Sequence, residues 1–432
     1  MKRKIIVMSV DAMVYEDLEH LQKMPVFRQF MEKGARVNKV RTIYPSVTYP
    51  AHVSISSGAY PDKHGVISND VLKVGQLSSD WNWFHSAVKC SDLFDAAKAA
   101  GFSTAAVFWP VTGNHPSIDY LVDEYWPQDE NDTPRKAFLR SGTTFDVYDK
   151  CVAPYMENLT IRSHPDTDHF VVDCACDMIR NYQPDLLMLH PANVDAFRHE
   201  TGIFSEKVTQ SLQDVELWLR KLMDAAKESG VYENTVFVIL SDHGMLNISR
   251  NLHLNVLLRE GGFLETDAQD RISSWQAWSR SNALSAQIYL KNPQDRALYN
   301  RMHQFLLKLK AEEVYGISEV FTCDEIREKE HLDGDFSFVV ESDGYTSFGN
   351  DWCRPLIRSF DVSDYRFGRA THGHLPYKGP QPVFLLCGPG VKSGVIVERC
   401  NIVDEAPTLA KLMGASLPAS DGQCVEALLE QV

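Results

Sequence analysis

The sequence predicts an α/β protein with a largely parallel central sheet, helices on both faces of it, and a smaller α+β insertion. Short apolar runs typical of buried strands alternate with longer segments of helical periodicity, which is the pattern of parallel β–α–β units. The 432 residues are 44% hydrophobic and 23% charged, an ordinary composition for a globular chain of this length. A chain this long buries enough surface to need no disulfide or structural metal for its core.

The predicted strands and helices follow one another along the chain. Ser91 is a favourable N-cap residue for the second helix, and Gly101 lies just past its end. The predicted core strands are residues 5–10, 105–109, 186–189, 236–240 and 382–387. The predicted core helices are residues 24–33, 91–100, 168–182, 204–229 and 406–413.

Charge and cysteine content exclude several classes of protein. The 43 basic and 58 acidic residues give a formal net charge of −15, which argues against a broad nucleic-acid-binding surface. The nine cysteines are dispersed and form no Cys-x-x-Cys pair, so we expect reduced thiols. The apolar run at residues 5–10 is too short for a signal peptide or a membrane span. We therefore expect a cytoplasmic protein without a membrane partner, and leave its oligomeric state open.

Acidic and histidine side chains follow the predicted strands. In open α/β sheets the carboxyl ends of the strands carry function, although a single Asp at such a position is more often a cap or a turn former. Several strand ends share the pattern here, and Asp195-x-x-x-His199 puts two side chains on one face of a helical turn. The candidate residues are Asp11, Asp195, His199, Asp242, His243 and His372.

This set of side chains predicts a metal centre. It mixes nitrogen and oxygen donors without thiolates, which suits zinc or a similar first-row divalent ion better than magnesium or calcium. Six ligands exceed the needs of one tetrahedral ion, so two ions are expected. Two ions about 4 Å apart can hold the attacking and leaving oxygens of a displacement at phosphorus. Their positive charge would also attract a small phosphate ester to an acidic protein.

A candidate nucleophile lies upstream of these ligands. Thr48 follows an extended segment, and Pro50 lies within the first turn of a predicted helix that closes at Gly58. A hydroxyl at a helix N-terminus is favoured as an alkoxide beside a bound phosphate oxygen, although Thr48 can also be a plain N-cap. The aromatic residues Trp81 and Trp83 can pack in the core or form a stacking platform for the substrate.

These motifs resemble the nucleotide pyrophosphatase/phosphodiesterase family of the alkaline phosphatase superfamily. The similarity spans residues 5–250 and 370–415, and its pieces occur in the order of that family. They are Val10-Asp11-Ala12, Thr48-Tyr-Pro-Ala-His52, Gly58-x-Tyr60-Pro61-x-x-His64-Gly65-Val66-Ile67-Ser68-Asn69, Asp195-x-x-x-His199, Ser241-Asp242-His243-Gly244-Met245, Thr371-His372-Gly373 and Phe384-x-x-x-Gly388-Pro389-Gly390.

The resemblance implies a fold like that of alkaline phosphatase and roles for individual residues. It implies that Thr48 is the nucleophile and that Asn69 donates its amide to a phosphate oxygen in the transition state. Tyr49 replaces the usual Phe and is expected to line the substrate pocket. Arg198 replaces a small Gly and can either reach a substrate phosphate or carboxylate or lie on the surface, and we favour the surface. One zinc ion would be held by Asp11, Thr48, Asp242 and His243, and a second by Asp195, His199 and His372.

The domain organisation follows from the same ligands. We predict a catalytic, metal-binding core at residues 1–250 and 370–432. Residues 251–369 are richer in charge and loops, with predicted strands at 283–290 and 336–340 and a helix at 294–310. We expect this insertion to cover the metal cleft as a lid, with Trp278 and Tyr345 shaping the pocket for the leaving group.

Three functions fit these observations. The first is a two-zinc phosphodiesterase or nucleotide pyrophosphatase that acts through a covalent phospho-threonine intermediate on Thr48, with a nucleotide or another small phosphodiester as its partner. The second is a phosphomonoesterase or phosphonate hydrolase of the same superfamily, since the metal core is shared. The third is a non-catalytic binding protein that retains the fold, against which the intact ligand set argues.

Overall fold

The computed structural model describes residues 2–77 and 80–430. Met1 and residues 431–432, which belong to the predicted core ranges, lie outside the described residues. The strands in chain order are β1 Lys4–Ser9, β2 Ala35–Arg41, β3 Thr104–Val107, β4 Tyr120–Val122, β5 Leu186–Leu189, β6 Thr235–Leu240, β7 Leu246–Asn247, β8 Arg250–His253, β9 Leu264–Thr266, β10 Ile272–Trp275, β11 Ala277–Ser281, β12 Ser285–Leu290, β13 Ile317–Thr322, β14 Phe338–Ser342, β15 Thr346–Gly349, β16 Ile357–Arg358, β17 Ala370–Thr371, β18 Phe384–Cys387 and β19 Ile396–Asn401.

The helices connect these strands, and most are followed by a turn or a short loop. They are α1 Leu18–Leu21, α2 Pro25–Lys33, α3 Thr48–Ser57, α4 Pro61–His64, α5 Leu93–Ala99, α6 Pro134–Arg140, α7 Phe145–Val147, α8 Asp166–Tyr182, α9 Asn193–Thr201, α10 Glu206–Glu228, α11 Leu254–Glu260, α12 Arg296–Ala311, α13 Cys323–Glu330 and α14 Glu405–Met413. Asp92, and not Ser91 as predicted, caps α5, because its side chain accepts from the backbone N–H groups of Phe94 and Asp95.

The central sheet has eight strands in the order β19-β2-β18-β6-β1-β5-β3-β4. Every neighbouring pair is parallel except the two pairs that involve β18, which runs antiparallel to β6 and to β2. The predicted α/β fold with a largely parallel sheet is therefore confirmed. The strands β2 and β19, which lie at one end of the sheet order with β19 at its edge, were not predicted, because charged side chains interrupt their apolar pattern.

Helices cover both faces of this sheet. Side chains alternate along β1, so that Ile6 packs with α2, α8 and α10 on one face, while Ile5 packs with α3, α5 and α14 on the other. Both residues are buried. The two apolar layers hold the sheet rigidly, which fixes the positions of the loops at the carboxyl ends of its strands.

Residues 251–369 contain small sheets separate from the central one. The strands β11, β12, β14 and β13 form an antiparallel sheet that packs against α12, around the buried side chain of Trp278. The strands β7 and β17 pair with each other, which brings residues 246–247 next to 370–371. The two ends of the stretch thus lie close together, while the domain boundaries themselves stay a prediction. Within the described part of the chain, no helix is both long and apolar enough to cross a membrane.

Candidate active site

Two adjacent strands bring the first group of predicted ligands together. The strands β1 and β6 are paired in parallel with Ser9 opposite Leu240, so the residues that follow them meet at one edge of the sheet. Asp11 follows β1, and Asp242 and His243 follow β6. The Asp242 Oδ1 accepts a hydrogen bond from the backbone N–H of Ala12 at 3.1 Å, which ties the two loops to each other.

Gly244 is required immediately after these ligands. A Cβ atom at this position would lie 2.1 Å from the backbone oxygen of Pro380, so any other residue would push the two segments apart. The close approach keeps the turn after β6 tight, and it explains the glycine of the Asp242-His243-Gly244 motif by packing.

The second group of ligands comes from α9 and from the segment after β17. Asp195 and His199 lie one turn apart on α9, with the His199 Nε2 3.2 Å from the Asp195 Oδ2. His372 follows β17, and its ring stacks on that of His243 with 4.0 Å between the centroids. The His372 Nδ1 donates to the backbone oxygen of Ser46 at 3.1 Å, two residues before Thr48.

The six side chains form two groups with the composition of metal sites. Asp11, Asp242 and His243 offer ligand atoms that all lie within 4.8 Å of one another, and so do Asp195, His199 and His372. Several of these atoms are buried without a hydrogen-bond partner, which is costly unless a cation compensates them. Among residues 2–77 and 80–430, the unpartnered carboxylate oxygens are the Asp11 Oδ1, Asp195 Oδ1 and Asp242 Oδ2. The residues present therefore fit a pair of divalent ions.

The charges within the site point the same way. Burial, followed by the nearby carboxylates of Asp195 and Asp242, raises the pKa of Asp11 well above its usual value. Burial also raises the pKa of Asp242, and it lowers the pKa of His243 to about 3. Three carboxyl groups are thus gathered in one site, and positive ions would stabilise their charged forms.

Thr48 is the first residue of α3 and faces the first group of ligands. Its Oγ1 lies 3.2 Å from the His243 Nε2, and its side chain is buried. The helix has Val47 as its N-cap residue, so Thr48 itself does not cap it. The alternative interpretation of Thr48 as an N-cap residue is therefore wrong.

Asn69 is anchored beside Thr48 by its side-chain oxygen. The Asn69 Oδ1 accepts a hydrogen bond from the backbone N–H of Tyr49 at 2.9 Å. Because the oxygen is used in this way, the amide nitrogen is left to donate to a bound group. Tyr49 itself is buried, and its hydroxyl donates to the Glu124 Oε2 at 3.1 Å.

A cavity of about 470 Å³ extends from these residues. Trp81 lines it, which favours the stacking alternative for this residue, whereas Trp83 is buried among core side chains. The cavity is lined by Asp11, Thr48, Tyr49, Asn69, Trp81, Phe108, Glu124, Trp126, Leu159, Ile161, Arg162, His164, Thr167, Asp168, Val171, His190, Ala192, Asp195, Ala196, His199, Val362, Ser363, Tyr365 and His372.

The inserted stretch reaches the cavity only through its last part. Val362, Ser363 and Tyr365 line the cavity. The expectation for Trp278 is wrong, because this side chain is buried in the core of the small antiparallel sheet. Tyr345 is 66% exposed and does not line the cavity either.

Two further residues of the site differ from the sequence analysis. His190 was missed, although it directly follows β5, and its Nε2 lies 3.0 Å from the Asp11 Oδ2. The position of His190 at the end of an apolar run is the sequence signal from which it could have been predicted. Arg198 was expected on the surface, but it is only 1% exposed and pairs with Asp17 at 2.5 Å. The partner lies 181 positions away in the sequence, which is why local pattern did not reveal the pair.

The eight-stranded sheet and the paired ligand groups define the class as an alkaline phosphatase-like α/β fold. The type I phosphodiesterase / nucleotide pyrophosphatase family matches residues 5–355. The chain belongs to this family, as the motifs had indicated.

Relatives of known sequence and structure agree with this assignment. The chain is 24% identical over 257 residues to a venom phosphodiesterase of Crotalus durissus collilineatus, and 24% identical over 227 residues to human ectonucleotide pyrophosphatase/phosphodiesterase family member 1. These alignments cover 57% and 51% of this chain, and 26% and 21% of the relatives. The chain thus spans about a quarter of the length of the curated relatives it matches.

Solved structures share the fold over nearly the whole chain. An inactive variant of murine ectonucleotide pyrophosphatase/phosphodiesterase 5 in complex with AMP superposes with a TM-score of 0.70 at 19% identity. The match covers 99% of this chain and 100% of the murine one. The human protein of the same name gives a TM-score of 0.69 at 18% identity.

Proposed function

We propose that this protein is a two-metal phosphodiesterase of the nucleotide pyrophosphatase type, which hydrolyses small phosphodiesters through a covalent intermediate on Thr48. One observation carries the proposal: a buried hydroxyl lies 3.2 Å from a histidine of one metal-type ligand group, and it lines an aromatic cavity together with members of both groups. The family of the chain supports hydrolysis of phosphate esters, and the identity of the ester is part of the proposal.

The two groups of ligands would each hold one ion. Asp11, Asp242 and His243, together with Thr48, would hold one ion, while Asp195, His199 and His372 would hold the other. Mixed imidazole and carboxylate donors suit zinc. When bound, such ions polarise the phosphoryl group, lower the pKa of the nucleophile and activate the water that completes the reaction.

Thr48 and Asn69 have different roles in the proposed reaction. The Thr48 Oγ1 gives its proton to solvent and forms a bond to phosphorus, while the bond to the leaving oxygen breaks and that oxygen departs with its electron pair. Water then displaces Thr48 from phosphorus and restores its hydroxyl, so no net change remains on the protein. The amide nitrogen of Asn69, set by the bond from the Tyr49 N–H, donates to a non-bridging oxygen that gains charge in the transition state.

The cavity favours diesters over monoesters. A phosphomonoester has no second substituent, whereas the aromatic side chains of Tyr49, Trp81 and Trp126 line space next to the nucleophile for one. The murine neighbour was solved with AMP, whose planar base is the kind of group that these aromatic rings can pack against.

We also propose a cytoplasmic location, supported by nine cysteines that all carry free thiols.

The proposal is tested by turnover of three esters and by metal content. We expect the 4-nitrophenyl ester of thymidine monophosphate to be hydrolysed with the highest kcat/KM, followed by bis(4-nitrophenyl) phosphate and then 4-nitrophenyl phosphate. Faster turnover of the monoester would favour a phosphomonoesterase. Protein that contains two ions per chain and hydrolyses none of the three would favour a binding protein.

A further inference from the structure

One carboxyl group on the wall of the catalytic cavity has no part in the proposed chemistry. Glu124 follows β4 and lines the cavity together with Thr48 and Asn69. Its Oε2 accepts the hydrogen bond from the Tyr49 hydroxyl. Its Oε1 has no hydrogen-bond partner among residues 2–77 and 80–430, so one acceptor atom is left for whatever enters the cavity.

Flat aromatic rings border the same space as Glu124. The ring of Tyr49 lies 5.1 Å from that of Trp81 at 74°, and Trp81 lies 6.2 Å from Trp126 at 72°. All three rings line the cavity, and their faces can hold a planar group. A planar group held in this way can present its edge to the Glu124 carboxyl, because the rings and the carboxyl share one cavity.

The charge around Glu124 leaves its free oxygen available. Arg162 is a cation at the cavity wall, but its guanidinium lies over Trp81 at 5.8 Å and over Trp126 at 5.5 Å, and no ion pair joins it to Glu124 in the described ranges. Burial raises the pKa of Glu124 to about 7, against the lowering effects of the Tyr49 hydrogen bond and of Arg162. A ligand group with N–H donors would stabilise this carboxyl. A group with only acceptors would leave both its own acceptor atoms and the free Glu124 oxygen without a hydrogen bond.

We propose that Glu124 is a specificity-determining residue that selects nucleobases with N–H donors on their edge, and guanine above uracil. The inference rests on the proposed function, since it names the substituent that this cavity takes. Guanine offers the N1–H and the 2-amino group side by side, so one donor can bond the free Oε1 while the other bonds the second lone pair of Oε2, beside the Tyr49 hydroxyl. Uracil places a carbonyl oxygen on each side of its single N–H, and both carbonyls face the carboxylate unfavourably. Sites that hydrogen-bond a substrate group reject analogues that lack it.

The test compares 4-nitrophenyl esters of guanosine and uridine monophosphate. In the wild-type protein we expect a guanosine-to-uridine ratio of kcat/KM of at least about 10, expressed mainly in KM. Glu124→Gln replaces one carboxylate oxygen, an acceptor, by an amide nitrogen, a donor. The guanosine-to-uridine ratio of kcat/KM should therefore fall at least about tenfold and approach or pass unity. Glu130→Gln is a matched control, because this glutamate is exposed and outside the cavity, and it should keep the wild-type ratio.

A second variant separates direct recognition from an effect through Tyr49. Tyr49→Phe keeps the ring and the Glu124 carboxyl but removes the hydroxyl, and it should retain the preference for guanosine. A ratio that Glu124→Gln leaves unchanged overturns the proposal. An equal fall in Tyr49→Phe also overturns it, because Glu124 would then only position the tyrosine ring.

Nucleotide binding distinguishes failure of this inference from failure of the proposed function. If wild-type protein hydrolyses none of the esters, the proposed function fails. Calorimetric titration of Thr48→Ala protein with GMP and UMP then still decides the role of Glu124. We expect GMP to bind at least about tenfold more tightly and Glu124→Gln in the same background to remove the difference. Equal affinities of GMP and UMP, with an unchanged thermal transition of the protein, would refute the selection.

Discussion

Two regions of the molecule contain two histidines and one aspartate within metal-binding distance, and they are built differently. The ligand atoms of Asp195, His199 and His372 lie within 4.8 Å of one another, and so do those of His85, Asp92 and His115. The first three line the catalytic cavity. The second three do not line it. We call them the His85 group.

The hydrogen bonds of one imidazole in each region, His199 and His115, differ. The His199 Nδ1 donates to the backbone oxygen of Ala370 at 2.7 Å, which leaves a lone pair on Nε2 for a metal. The His115 Nδ1 instead accepts from the backbone N–H of Ser117 at 3.0 Å, so its proton lies on Nε2 and is donated to Asp92 at 3.0 Å. Because composition and spacing are alike in the two regions, the tautomer of His115 leads us to expect a metal ion only in the first.

Removal of metal should have the largest effect. We expect chelation to remove essentially all activity, and Zn²⁺, Co²⁺ or Mn²⁺ to restore it better than Mg²⁺, because imidazole donors favour borderline ions. Elemental analysis should give two ions per chain. A third ion per chain would mean that the His85 group also binds metal, which contradicts the comparison of the two regions. Full recovery of activity with Mg²⁺ alone would contradict a site built on imidazole ligands.

Loss of Thr48, the proposed nucleophile, should have the next largest effect. Thr48→Ala should lower kcat by at least about 10³-fold, because the covalent route is lost while the cavity remains. Steady-state kinetics with the thymidine monophosphate ester measures the loss. The ion that we propose for Asp195, His199 and His372 should remain bound, since Thr48 is not among its proposed ligands. Retention of more than a tenth of the wild-type kcat would remove Thr48 from the mechanism.

A pair of histidine variants tests the comparison directly. His199→Ala should lose about one ion per chain and lower kcat by about 10²-fold, since one ligand of a three-residue site is gone. His115→Ala should keep both ions and its activity, because its ring nitrogens are already used by Ser117 and Asp92. Metal content measured on both purified variants decides between the regions. Equal metal loss in the two would show that the tautomer argument fails.

Much of the fold, and the residues that the structure gathers into the candidate metal site, could be predicted from local sequence. Continuous apolar runs predicted β1, β5 and β6, and the polar residues at their ends gave Asp11, Asp242 and His243. These signals are local because parallel strands are buried on both faces and carry function at one end.

The remainder depends on contacts between distant segments. Arg198 is buried because Asp17 pairs with it across 181 positions, and Glu124 reaches the cavity only when β4 takes its place at the edge of the sheet. The direction of β18 could not be predicted, because an apolar run looks the same in either orientation. Side-chain tautomers, which separate the two histidine regions, are set by backbone groups that no sequence pattern reveals.

The smallest expected effect concerns Asp92, which links the His85 group to α5. Its Oδ1 accepts from the backbone N–H groups of Phe94 and Asp95, and its Oδ2 accepts from His115. Asp92→Ala removes a cap worth about 1 kcal/mol and a hydrogen bond worth about another, so we expect a loss of about 2 kcal/mol in the free energy of unfolding. Asp92→Asn can keep the cap and should lose about half as much.

Urea denaturation of the two variants measures these losses in stability. The kcat on the thymidine monophosphate ester should stay within about twofold of the wild-type value, because Asp92 neither lines the cavity nor belongs to the two candidate metal groups beside it. The two variants together distinguish a structural role from a metal site. A structural role predicts graded stability, alanine below asparagine, at constant metal content. A metal site predicts that both variants lose an ion, because an amide is a much weaker ligand than a carboxylate. Loss of metal from Asp92→Asn would therefore make the His85 group a third metal site and end the distinction between the two regions.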